Sequence, residues 1–259
     1  MSVVLGLLDV LFQAFVAVQV RYLFGGAGSV VETAGLTFAE YARRGFFELV
    51  SVTALVLPVL LLAHWLLHAR IPAHEGVFKV LSGAMVVLLF VIVASALQRM
   101  YLYTQQFGLT ELRLYATIFM LWISVVLVWF AVTVLRGSRE RFAFGVLTTG
   151  FSAILLINAL NPDALVARIN VDRMEAGKKF DAYYLTRLSA DAAPVLVASL
   201  PHMSELDRRM IEDHLHARWA EERDRRTWNL SRSRARHLVE ARLPISRESA
   251  RSTKSGAQS

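Results

Sequence analysis

The sequence predicts an all-α integral membrane protein, with about five transmembrane helices followed by a small helical carboxyl-terminal domain. Three observations predict it. Of the 259 residues, 55% are hydrophobic, more than a soluble globular domain usually carries. The apolar residues gather into five runs that approach or exceed the roughly 20 residues needed to cross the hydrocarbon core as a helix. The charge is uneven: 10 basic and 7 acidic residues precede Leu160, and 18 and 14 follow it. The expected division is a membrane domain over 1–160, a small helical domain over 161–243 and a disordered tail over 244–259.

The runs cover about 3–24, 46–67, 77–97, 112–135 and 142–160. In lipid every backbone N–H and C=O must be paired internally, so each run is expected to be helical. The alternating ten-residue segments of a β-barrel are absent. The first run lacks a basic leader and a clear cleavage site, so it reads as a retained span. Pro58 lies inside the second run and is expected to kink it. Between the first two runs, Thr37 and Glu40 have capping-box spacing, which predicts an interfacial helix leading into the second span.

The connection between the third and fourth runs, QRMYLYTQQFGLTELRLY, is rich in polar and aromatic residues. If the third span continues as helix, Arg99 and Tyr103 lie one turn apart on one face. Gly108 is placed to end that helix and Thr110 to cap the next. Tyrosines and arginines also suit a membrane interface without further function. A pair of guanidinium groups equally suits capture of a carboxylate or phosphate.

Beyond residue 160, Ser189 is expected to cap a short helix. Ser204, with Asp207 three residues on, is expected to cap a longer one. The longer helix carries an approximate apolar stripe of Leu206, Met210, Leu215 and Trp219. The basic segment RDRRTWNLSRSRARH reads as a solvated helix face, or as a contact to anionic headgroups.

Several further polar residues are candidates. Asp9 and Gln13 share a helix face inside the first run, and Gln19 lies nearer its end. They suit either an ion or substrate contact or helix-packing hydrogen bonds. Glu40 with Arg43 or Arg44, and Arg44 with Glu48, have ion-pair spacing on a helix. Glu48 already adjoins an apolar run, so a partner such as Arg99 or Arg113 is expected for it. The candidate polar centre is therefore Glu48, Arg99, Tyr103, Thr110, Glu111 and Arg113.

The chain has no cysteine, which excludes disulfides, thiolate metal sites and cysteine nucleophiles. His64 and His68 are one turn apart, but Trp65 stands where a metalloprotease motif needs glutamate, so no metal site is expected. No phosphate loop, serine elbow or kinase motif occurs, and neither a cofactor nor catalytic residues are assigned. The basic excess is too dispersed for a nucleic-acid partner. The expected partners are the lipid bilayer and a membrane protein or a second copy. With five spans and an external amino terminus, nine Lys and Arg flank the inner side and five the outer. That places the carboxyl-terminal domain in the cytoplasm.

The segments VQVRYLFGG, AEYARRGFFEL, QRMYLYTQQFGLTELRLY and NPDALVARINVDR…YYLTRLSADAAPVL, taken in order, resemble the bacterial membrane family called domain of unknown function 4153/4173. The resemblance covers most of residues 5–238 and is to the second half of the longer family members, which carry additional upstream spans. It implies a multi-pass inner-membrane protein without an assigned activity or catalytic residues. The reading is a transport, sensory or assembly component. The alternatives are a membrane enzyme acting on an anionic or lipid-linked substrate, and a structural subunit of a larger complex.

Overall fold

The computed structural model describes residues 73–134, 140–219 and 229–243, besides Val10. The expected spans over 3–24 and 46–67, Pro58 and the tail over 244–259 lie outside the described residues. So do Asp9, Gln13, Gln19, Glu40, Arg43, Arg44 and Glu48. The described residues form helices, with no strand among them. We label the α-helices α1 Ala73–Phe107, α2 Glu111–Thr133, α3 Glu140–Leu160, α4 Pro162–Glu175, α5 Ala182–Thr186, α6 Ala193–Ser199, α7 Glu205–Trp219 and α8 Leu230–Arg242. Three stretches are long and apolar enough to cross a membrane: Ser82–Phe107, Glu111–Thr133 and Glu140–Leu160.

The described residues divide into two compact units. One holds those up to Phe107 and Leu112–Leu156. The other holds Gly108–Glu111 and those from Ile157 onward.

In the first unit, α1 runs ten residues beyond the end expected for its span, through Arg99 and Tyr103 to Phe107. Apolar side chains continue along it at helical spacing, so nothing stops it before Gly108. Met85, Leu89, Val93 and Ala96 of α1 pack with Met120, Ile123, Leu127 and Phe130 of α2. Phe142 of α3 meets Phe130 edge-on, with ring centroids 5.7 Å apart. Small residues let α3 approach the tryptophans of α2. Gly145 lies directly under the Trp129 indole and Gly150 beside that of Trp122. Each indole N–H also finds an acceptor: Trp129 donates to the Arg141 carbonyl and Trp122 to Thr149 Oγ1, both at 3.3 Å. Elsewhere α3 turns Phe144, Leu147, Phe151 and Leu155 outward. The hydroxyls of Thr148 and Ser152 bond the carbonyl four residues back. That settles their polarity within the helix, as an apolar surrounding requires.

In the second unit, Asn161 takes a left-handed conformation (φ 49°) and Pro162 opens α4. The chain thus starts a new helix one residue after α3 ends. Gly177, at φ 73°, closes α4: its N–H bonds the Met174 carbonyl and that of Lys178 bonds Arg173. This is the Schellman arrangement that favours glycine. Asp181 caps α5 by accepting from the Tyr184 N–H at 2.9 Å. Ser189 caps the 3-10 turn Ala190–Ala192 that leads into α6. Ser204 caps α7, its Oγ accepting from the Asp207 N–H at 3.2 Å and donating to the Asp207 carboxylate at 2.6 Å, whereas a capping box would have that carboxylate reach the Ser204 N–H. Asn229 caps α8.

The apolar stripe of α7 differs from expectation. Leu215 is buried, but its core companion is Ile211, whereas Leu206 is 74% exposed and Met210 is also exposed. Ile211 and Leu215 are one turn apart and join Leu185, Leu196, Ala235 and Val239 in the buried interior. Leu206, in the first turn, falls off that face. The Trp219 side chain lies outside the described residues.

Candidate functional site

The four residues that join α1 to α2 pack with the carboxyl-terminal unit, although the chain on either side of them belongs to the other. Their backbone is held by side chains from far along the sequence. Gly108, at φ 82°, reverses the chain, and a Cβ there would strike Asn170 Oδ1. The Leu109 N–H donates to Asn170 Oδ1 at 3.1 Å. Asn170 Nδ2 donates back to the Leu109 carbonyl at 2.7 Å and to the Val166 carbonyl on its own helix at 2.8 Å. Two residues on, the Glu111 N–H donates to the Tyr184 hydroxyl at 2.9 Å. Leu109 is buried, so its polar groups need protein partners, and α4 supplies them. Arg173, one turn beyond Asn170, is also buried and lies close to Gly108.

Beside this turn stands a pair of acids. Asp163, at the start of α4, is near enough to Glu111 for its carboxyl to respond to that of Glu111. Asp163 Oδ2 accepts from the Ser189 N–H at 2.9 Å. Burial, the largest influence on Asp163, raises its pKa. It is outweighed by the influence of Glu111, of the Ser189 hydroxyl and amide and of the Arg218 charge, which hold the group below its ordinary 3.8. Arg218 also donates to the Thr186 carbonyl at 3.1 Å. His214, one turn before it, is held below its ordinary 6.5 by burial and by Arg218, against a hydrogen bond to Thr186.

Several contacts of the described residues of the expected polar centre are seen. Arg99 bonds Ser95 Oγ on its own helix at 3.2 Å. The Arg113 guanidinium lies 4.0 Å from the centroid of the Tyr103 ring, a cation–π contact. The Glu111 N–H goes to Tyr184, and Thr110 immediately precedes α2. Glu48, the remaining member, is outside the described residues. Among the described residues no group of three or more His, Cys, Asp or Glu is placed to hold a metal ion.

Sequence reasoning did not single out Asp163, Asn170, Tyr184 or Arg218, and it took Ser189 only as a helix cap. All but Arg218 stand in the segment NPDALVARINVDR…YYLTRLSADAAPVL. The local signal was an Asn and an Asp inside an otherwise amphipathic helix. What Asn170 binds lies 61 residues upstream.

No curated protein and no solved structure matches the chain. The family described as Domain of unknown function (DUF4153) matches residues 1–199, which include the turn and every partner described for it except Arg218. By that match over more than half its length, the chain belongs to the DUF4153 family.

Proposed function

We propose that this chain is a non-enzymatic, multi-pass component of the bacterial inner membrane that couples its carboxyl-terminal helical unit to its spans. It has five spans in this reading, those over 3–24 and 46–67 included, and its carboxyl-terminal unit lies in the cytoplasm. Among transport, sensory and assembly roles, coupling favours the sensory one. A membrane-protein partner or a second copy would receive or deliver the signal.

The observation that supports this reading is the two-point bond between Asn170 and Leu109. The residues joining α1 to α2 are held by the carboxyl-terminal unit through side chains rather than left to solvent. A change of state in α4 or α5 therefore has a direct mechanical route to the start of α2. The Arg113–Tyr103 contact sits on the first turn of α2 and the last turns of α1.

The test is complementation of a deletion strain by full-length variants that insert at normal abundance. Asn170→Ala and Tyr184→Phe are expected to lose function, and so is Arg113→Ala. Wild-type behaviour of all three would sink the reading. Labelling of Ser231→Cys, in a chain with no other thiol, is expected from the cytoplasmic side only. Labelling from outside intact cells would reverse the orientation.

A further inference from the structure

The charge on α8 differs from that on the helix before it. Its 13 residues, LSRSRARHLVEAR, hold four arginines and a single acid, Glu240. In α7 four acids stand against three arginines, and Glu205 alone takes both Arg208 and Arg209 at 2.7 Å. One acid cannot match four arginines in that way, so α8 carries an excess of positive charge.

The fold keeps this charge at the surface. Asn229 caps α8, and the helix packs on α6, on the turn Ala190–Ala192 and on α7. The residues it buries are Ala235 and Val239, one turn apart. Leu230, Arg234, His237 and Ala241 follow at steps of four, three and four residues, which draws one line along the side away from them. All four are exposed, Leu230 at 55%. Arg232 and Arg242 are exposed on the flanks of that line, and Arg236 is half-buried.

The unit that bears this surface is tied directly to a helix of membrane-crossing length, because Asn161 alone separates α3 from α4. Such a tether gives the unit a high effective concentration at a bilayer surface. Anionic headgroups attract basic side chains there, by roughly fivefold in affinity for each. A guanidinium fork matches phosphate oxygens while its stem lies along apolar surface. Leu230, on the same line, adds apolar burial to that attraction.

We infer that the outer face of α8 docks on anionic phospholipid headgroups of the bilayer that holds this chain, with Arg234 and Arg242 as headgroup contacts. Docking of this kind is reversible and is set by lipid charge and salt. It uses no residue of the turn between α1 and α2, so it stands or falls apart from the coupling through Asn170.

The experiment attaches an environment-sensitive dye to Ala241→Cys, in a chain with no other thiol, and reconstitutes the full-length protein in nanodiscs. Acrylamide quenching then reports the ratio of shielded to accessible label. Shielding is expected in discs rich in phosphatidylglycerol, not in discs of phosphatidylcholine, and is expected to vanish in concentrated salt. Both leaflets of a disc are alike, so the result does not depend on which side the unit occupies. Arg234→Gln combined with Arg242→Gln is expected to lower the ratio about 25-fold, roughly fivefold for each arginine removed. Both positions are exposed and glutamine suits a helix, so the fold should be unaffected. Arg234→Lys combined with Arg242→Lys keeps the charge and is expected to keep the shielding. Equal shielding in the two lipids, which a protein partner on this face would give, overturns the docking. So does full shielding in the glutamine pair, or its loss in the lysine pair.

Discussion

The side-chain amide of Asn170 holds both backbone polar groups of Leu109, accepting from its N–H at 3.1 Å and donating to its carbonyl at 2.7 Å. A carboxamide presents a donor and an acceptor side by side without carrying charge. It therefore stands in for the backbone partner that a residue between two helices lacks. Asn170→Ala would leave a buried donor and acceptor unpaired. The expected cost is about 2 kcal/mol, read as a lower Tm of the purified full chain. Asn170→Asp keeps an acceptor but loses the donor, and is expected to fall between Ala and wild type.

Gly108 is expected to tolerate no side chain. Its φ of 82° is strained for any L residue, and a Cβ would also collide with Asn170 Oδ1. Gly177 makes the matched control, since its φ is 73° but nothing lies within 4 Å of its would-be Cβ. Gly177→Ala is expected to cost about 1 kcal/mol, the strain alone. Gly108→Ala is expected to cost clearly more and to deprotect the Leu109 amide. Equal costs in denaturation would mean that Asn170 moves aside freely.

The contact between α2 and α3 depends on Gly145. Its Cα faces the Trp129 indole with no room for a methyl group, so Gly145→Ala must push the indole aside. Overpacking of this kind costs about 1–3 kcal/mol, and it should also break the bond from the indole to the Arg141 carbonyl. A shift in tryptophan emission together with a lower Tm in detergent is the expected result. Adding Trp129→Phe is expected to recover much of the stability, because the smaller ring leaves space.

Two partly buried groups make the carboxyl-terminal unit sensitive to acid. His214 has a folded pKa below its ordinary 6.5, because burial and Arg218 disfavour its charged form. A group with a depressed folded pKa contributes its full stabilisation above the unfolded value and loses it as pH falls through the folded one. Asp163 behaves likewise from its ordinary 3.8 downward. Tm is therefore expected to fall in two stages, the first beginning below about pH 6.5 and the second at strongly acidic pH. His214→Gln should flatten the first stage and Asp163→Asn the second. An unchanged first stage in His214→Gln would assign that loss to another group.

Much of the fold was legible because its causes are local. Runs of apolar residues at the lengths of α1, α2 and α3 need only their own composition to be read. Gly108 as the end of a helix, Ser189 and Ser204 as caps, and Asp207 as the partner of Ser204 depend on neighbours three or fewer residues away. The stripe on α7 was misjudged because Leu206, Met210 and Ile211 are all apolar. Only the packing of the other helices selects which of them is inside.

The sequence by itself determined the helical class, the three described stretches of membrane-crossing length, and the turn at Gly108 as the place where polar chemistry concentrates. It also carried the family. Tertiary structure decided which of the polar residues meet. Leu109 meets Asn170 across 61 residues and Glu111 meets Tyr184 across 73. Hydrogen bonds of that separation leave no periodicity in the chain, because each partner obeys the rules of its own helix. They exist only once α4 and α5 have packed and brought their side chains to the turn.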